Sequence, residues 1–152
     1  DVGCGTGDLS VLFSAENYTG IDIDQRYIDF ASRQYNRNFT KMDASDLKFK
    51  DDYFDLVFVS GLLHHLAGDL FLKVASEIRR VTKPTGRVLI FEVSYMLNKE
   101  GLYKKILREL DRGKYIRDYD SLNRIILDYF CIVKSYMMKG PWGDSSVFLL
   151  NK

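Results

Sequence analysis

Short apolar runs alternate along this chain with longer stretches whose apolar positions recur every three or four residues, a pattern that predicts strands interleaved with helices. Residues 18–23 read as a strand ending in acid, 39–42 as a short strand and 54–60 as a buried one. Residues 8–14 read as a helix behind a glycine-rich loop. Residues 25–35 read as a second helix, with Ile28, Ala31 and Tyr35 at helical spacing and Asp24 as its N-cap. Asp69 reads as the cap of a helix that runs to Val81 and turns Leu70, Val74 and Ile78 to one side. Lys83-Pro84-Thr85-Gly86 reads as a turn, and 87–93 as another buried strand. This order is that of an α/β fold with a mostly parallel sheet.

Beyond Val93 the spacing changes. The stretch before Cys131 is too long for one helical crossover and predicts a helix over 99–110, a break at Gly113, and a helix over 121–130 capped by Asp120. Residues 94–130 are therefore expected to form a crossover with an added element, a common place for a lid or substrate wall. Residues 131–138 and 146–150 read as two strands. The turn-rich Lys139-Gly140-Pro141-Trp142-Gly143-Asp144 between them predicts an antiparallel hairpin.

The 152 residues support one domain, 1–152, and 46% apolar content suits a packed core rather than a disordered tail. With 22 basic and 21 acidic residues the formal net charge is +1, which disfavours a nucleic-acid partner held by phosphate neutralisation. No apolar run approaches the roughly 20 residues that span a bilayer. Two cysteines, Cys4 and Cys131, make neither a disulfide framework nor a four-thiolate zinc site, so no metal is expected and a reducing cytoplasm is the expected compartment. The glycine-rich turn stands at the very start, where a buried strand normally precedes it, so an upstream segment is expected.

The chemistry concentrates in Asp1-Val2-Gly3-Cys4-Gly5-Thr6-Gly7. Glycines at alternate positions let backbone approach a ligand, and the helix behind them points unpaired N–H groups the same way. The spacing is not the dinucleotide Gly-x-Gly-x-x-Gly, which argues against a nicotinamide enzyme. Asp22, at the end of the next strand, is placed to accept hydrogen bonds from both hydroxyls of a ribose. The plainer alternative is a tight strand–helix turn beside a solvated acid.

These residues resemble a class I S-adenosylmethionine-dependent methyltransferase of the small-molecule kind often grouped as type 11. Asp1 to Gly7 is similar to that family's first motif, and Thr19 to Asp24 to its second. Met42-Asp43-Ala44 resembles the third, and 54–57 through Leu62-Leu63-His64-His65-Leu66 the fourth. The turn at 81–86 resembles the one before the family's fifth strand, with Thr85 where glycine is commoner. The resemblance implies a Rossmann-like doubly wound sheet of order 3-2-1-4-5-7-6, its first strand truncated here, with 94–130 between strands five and six. It implies S-adenosylmethionine as cofactor and S-adenosylhomocysteine as product. Asp22 would be the ribose acid, with Ile23 beside the adenine and Asp43 and Ala44 at the adenine edge. The methionine end would lie near Asp1, Gly3, Ser60, Gly61 and His65, with Cys4, Gly5 and Gly7 also among the cofactor-binding residues.

The acceptor is read by exclusion. Ser60-Gly61-Leu62-Leu63 has neither the prolines nor the amide of enzymes that methylate adenine or glutamine amino groups, and no cysteine follows a proline as in cytosine-C5 enzymes. A small-molecule acceptor methylated on oxygen, nitrogen or carbon remains, with an RNA or protein methyltransferase and a non-catalytic binding domain as alternatives. His65 and His64 are candidate bases for an O-methylation, against the plainer reading that the pair packs at the start of a helix. Glu92 either faces the pocket or caps a loop. Arg112, Tyr115 and Arg117 either clamp an acidic group on the acceptor or belong to a solvated loop. Trp142 either walls the pocket or seals the hairpin.

Overall fold

A computed structural model describes residues 1–96, 106, 109–110, 113–140 and 143–152. Its strands are β1 (Thr19–Asp22), β2 (Asn38–Lys41), β3 (Phe54–Ser60), β4 (Thr82–Tyr95), β5 (Arg117–Asp118), β6 (Cys131–Met138) and β7 (Ser145–Asn151). The α-helices α1 (Gln25–Gln34), α2 (Gly68–Val81) and α3 (Tyr119–Leu127) join them.

β1 pairs with β2 in parallel, and β3 with β4 in parallel. Val2 joins the two halves by single parallel bridges to Ile21 on one side and Val59 on the other. β7 lies antiparallel between β4 and β6. Reading across, β2, β1, Val2, β3, β4, β7 and β6 follow one another, the expected order with the first strand reduced to a bridge. The two-residue β5 is an addition, pairing with the far end of β4 at Ser94 and Tyr95. The expected C-terminal hairpin is present, with Met138 opposite Ser145.

A pleated strand sends alternate residues to opposite faces. On β3 that places Val57 and Val59 in the core, and on β4 it places Val88 and Ile90 there. Phe71, Val74 and Ile78 of α2 and Leu122 and Ile126 of α3 complete the same cluster. The 119–127 helix thus contributes core side chains. The alternation continues along β4, so Glu92 and Ser94 are buried as well.

Several boundaries differ from the expectation. The helix predicted over 8–14 is a short 3₁₀ segment, Asp8–Leu12, with a second one, Ala15–Asn17, beyond it. Asp24 does cap α1, accepting from Arg26 N–H at 2.9 Å. Asp69 does not cap α2: the cap position is Ala67, and Asp69 sits in the first turn, where its charge still complements the helix dipole. Asp120 likewise lies in the first turn of α3, and Asp118 is the cap, accepting from Ser121 N–H at 3.0 Å. That helix ends at Leu127 rather than at 130. The predicted turn at 83–86 is a bulge inside β4. Phe54 pairs with Thr82 and Leu56 with Arg87, so four residues of β4 loop out opposite one of β3. Most of the helix predicted over 99–110 lies outside the described residues.

Candidate functional site

The loop between Val2 and the first 3₁₀ turn is held by its own main chain. Gly3 and Cys4 N–H both donate to Ile21 O at 2.8 Å, and Gly7 N–H donates to Cys4 O at 2.9 Å. Gly3 and Gly7 have φ of 76° and 78°, in the left-handed region that side chains disfavour. Their surroundings differ. A Cβ on Gly3 would stand 3.0 Å from Leu62 Cδ1, across the site. A Cβ on Gly7 would stand 2.8 Å from Phe39 and 2.9 Å from Ala31, so Gly7 serves packing between the loop, β2 and α1.

Asp22 ends β1 beside this loop. One carboxylate oxygen accepts from Gly5 N–H at 2.9 Å and the other from Asp24 N–H at 2.9 Å. The acid therefore ties the glycine loop to the start of α1, and each oxygen keeps a second lone pair. Gly3, Asp22, Ile23, Asp43 and Ala44 border one cleft of about 120 Å³. Asp43 is exposed at its rim, and Ser45 N–H and Oγ both donate to it at 2.8 Å. The Ser45 bonds hold the Asp43 carboxyl below the usual carboxylate range.

Six further residues line this cleft that sequence reasoning did not place among the site residues: Ile21 of β1, and Met42, Leu62, Leu66, Leu70 and Val74. The last five come from the residue after β2, the 62–66 turn and α2. In the sequence they read only as motif fillers or as one side of a helix, and nothing in their spacing separates a cleft wall from a core contact.

The remaining candidates spread out. Asp1 is not on this cleft; its carboxylate accepts from Tyr18 OH at 2.7 Å and borders a separate opening of about 460 Å³. That larger opening, where β1 and β3 part below Val2, carries none of Gly3, Asp22 or Asp43. Cys4 is half-buried in the loop, and burial, with the Asp22 carboxylate second, pushes its thiol up to about 12. Ser60 closes β3, and Gly61 follows with φ of 61° and its N–H on Phe91 O at 2.9 Å. His65 is exposed, its ring 4.0 Å from the His64 ring. His64 is buried, with Nδ1 2.5 Å from Glu92 Oε1.

Glu92 does not face the cleft; it is 2% exposed and also accepts from Leu63 N–H at 2.6 Å. Tyr115 is exposed and donates its N–H to His64 O at 2.9 Å. Arg117 is half-buried and turned inward. Its guanidinium donates to Leu63 O at 3.0 Å and Leu66 O at 2.9 Å and lies 4.6 Å over the Phe71 ring. Burial lowers its pKa, with the Glu92 charge opposing. Arg112 and Trp142 lie outside the described residues. Among the described residues no group of three His, Cys, Asp or Glu is arranged to hold a metal ion, and no helix is long and apolar enough to cross a membrane.

Known methyltransferases are similar to this chain in sequence and in fold. A demethylmenaquinone methyltransferase of Lactobacillus johnsonii is 35% identical over 111 residues, which is 64% of this chain and 44% of that protein. A fatty-acid O-methyltransferase of Mycolicibacterium smegmatis is 36% identical over 97 residues, 59% of this chain and 34% of that protein. The matched stretch is thus less than half the length of either relative. The solved structure of a SAM-dependent methyltransferase from Methanosarcina mazei superimposes with a TM-score of 0.81 at 21% identity, covering 100% of this chain and 90% of that one. At that identity the likeness is one of fold. A family described as a methyltransferase domain matches residues 1–90. The glycine loop, Asp22, Asp43 and the turn through His65 all fall inside that stretch, and the chain belongs to the methyltransferase-domain family.

Proposed function

We propose that this chain binds S-adenosylmethionine in the cleft between the Gly3 loop, Asp22 and the 62–66 turn, and moves its methyl group to a small-molecule acceptor. The observation that carries the reading is the convergence of Gly3, Asp22, Ile23, Asp43 and Ala44 on one cleft from three separate stretches of sequence. The residues fit the cofactor chemically. Gly3 leaves a cradle that a Cβ would fill, 3.0 Å from Leu62. Asp22 has unused acceptor capacity at the rim for a pair of hydroxyls, and Ile23, 65% exposed, offers an apolar surface for a base.

When bound, the cofactor supplies a methyl group already activated on a sulfonium sulfur. The work left to the protein is alignment, worth up to about 7–11 kcal/mol when the geometry is ideal. Asp22 would hold the ribose hydroxyls, and Gly3 leaves room for the cofactor to approach the loop backbone. Leu62, Leu66 and Leu70 form the opposite, apolar wall of this cofactor cleft, and the acceptor we assign is one with an apolar body. The relatives named for demethylmenaquinone and fatty-acid methylation support that class. A base is needed only where the acceptor must lose a proton. We assign that duty to His65, whose ring is exposed, rather than to buried His64.

The test is Asp22→Ala against S-adenosylhomocysteine by calorimetry. A charge-assisted hydrogen bond contributes about 1.5–3 kcal/mol, so losing even one lowers affinity more than about tenfold. The 2′-deoxy analogue should lose less than the parent compound on the same substitution. Affinity for the parent that stays within twofold refutes the assignment.

A further inference from the structure

Glu92 is a buried acid with no place on the cleft, and among the described residues no other carboxylate is buried as deeply. Placing a carboxylate in a core is costly unless donors surround it. Three do: Leu63 N–H at 2.6 Å on one oxygen, and His64 Nδ1 at 2.5 Å with Val93 N–H at 2.8 Å on the other. Two of the three come from the 3₁₀ turn Leu63–His65, which is one turn long and cannot hold its own shape. Arg117, from a strand 54 positions later, takes the carbonyls of the same turn, Leu63 O and Leu66 O. Tyr115 N–H takes His64 O between them. The turn is therefore gripped from both sides, at its N–H end by β4 and at its carbonyl end by the 115–117 segment.

What the grip holds is a wall of the cleft. Leu62 and Leu66 flank the turn and both line the cleft, whereas His64, Glu92 and Arg117 line a separate tight junction behind it. Leu62 also stands where it would touch any side chain on Gly3. A shift of the turn therefore reaches the glycine loop in one contact.

We infer that Glu92, His64 and Arg117 are positioning residues, a clamp that sets the cofactor-facing wall through Leu62 and Leu66. The inference rests on the cleft being the cofactor site. It assigns His64 to orientation rather than to proton transfer, and Glu92 and Arg117 to the turn rather than to the acceptor.

The experiment measures S-adenosylhomocysteine binding by calorimetry on the whole chain, with circular dichroism to confirm folding. Glu92→Gln keeps the volume but turns one acceptor oxygen into an NH₂ that opposes a backbone N–H. Loss of such a bond should weaken binding about tenfold or more. Asn at position 64 reproduces a donor near Nδ1, so His64→Asn should stay within about threefold of wild type while His64→Ala loses about tenfold. Rescue by Asn separates a held donor from mere bulk. The His64 Nδ1 proton should appear far downfield in the proton NMR spectrum of wild type and vanish in Glu92→Gln. Where Glu92→Gln does not fold, the two position-64 variants decide. Folded Glu92→Gln and His64→Ala chains that bind within twofold of wild type overturn the clamp alone. A wild-type chain that does not bind at all overturns the reading of the cleft and this inference with it.

Discussion

Gly7→Ala is the sharpest test of the loop, because it needs no substrate. At φ of 78° an alanine sits in the left-handed region, at a cost of about 1–2 kcal/mol. Its methyl would also meet Phe39 at 2.8 Å and Ala31 at 2.9 Å, closer than real contacts allow. Forcing a methyl into such packing costs a further 1–3 kcal/mol, roughly. Reduced freedom of the unfolded chain returns about 0.4–1 kcal/mol. The sum is a loss of about 1–5 kcal/mol, centred near 3, a large share of a typical domain's 5–15. Gly5→Ala provides the control. Its φ is 51°, also left-handed, but nothing lies within 4 Å of the added Cβ. It should show the backbone part alone, about 1 kcal/mol. Urea unfolding followed by far-ultraviolet circular dichroism reads both. At a slope of about 2 kcal/mol per molar, Gly7→Ala should lower the midpoint by about 1–2 M. Equal losses for the two variants would mean that the Phe39–Ala31 contact does not constrain the loop, and the packing account of Gly7 would fail.

Cys4 should react slowly with a maleimide at neutral pH and accelerate steadily as pH rises, since its thiol is pushed up to about 12 and the thiolate is the nucleophile. Exposed Cys131 should label first, which mass mapping of a partial reaction would show; early labelling of Cys4 would contradict its burial. Glu77 pairs with Arg80 at 2.7 Å and accepts from Leu47 N–H at 2.8 Å, and chiefly the Arg80 bond lowers its pKa. A depressed carboxyl stabilises the fold above its unfolded pKa, and that stabilisation is lost as pH falls through the folded value. Glu77→Gln should therefore cost about 1–3 kcal/mol at pH 7 and progressively less as pH is lowered toward 3. Urea midpoints across that range check the sign, and a difference that grows toward acid would refute it.

The parts legible in the sequence were those carried by local pattern. The glycine loop and Asp22 could be read together because they lie on consecutive elements at a spacing that chemistry constrains. The strands were legible because alternation records burial. Asp69 and Asp120 misled for a specific reason: an acid is favourable both at a cap and in the first turn, so composition leaves the start of a helix uncertain by two residues. Glu92 shared the parity of Val88 and Ile90 and so was already on the core face by period alone. Its charge left a pocket and a loop cap both open instead, since two of its three compensating donors lie 28 and 29 positions away. Arg117 was illegible for the same reason. A guanidinium that serves two carbonyls more than fifty residues earlier leaves no local trace.

β4 is hydrogen-bonded to β3, β5 and β7, and Phe91 near its end also receives Gly61 N–H. It behaves as a door post: the 61–66 turn and the 115–118 segment hang from the same few residues at its C-terminal end. A substitution that unpaired this end of β4 would release both segments together, since both take hydrogen bonds or strand pairing from it.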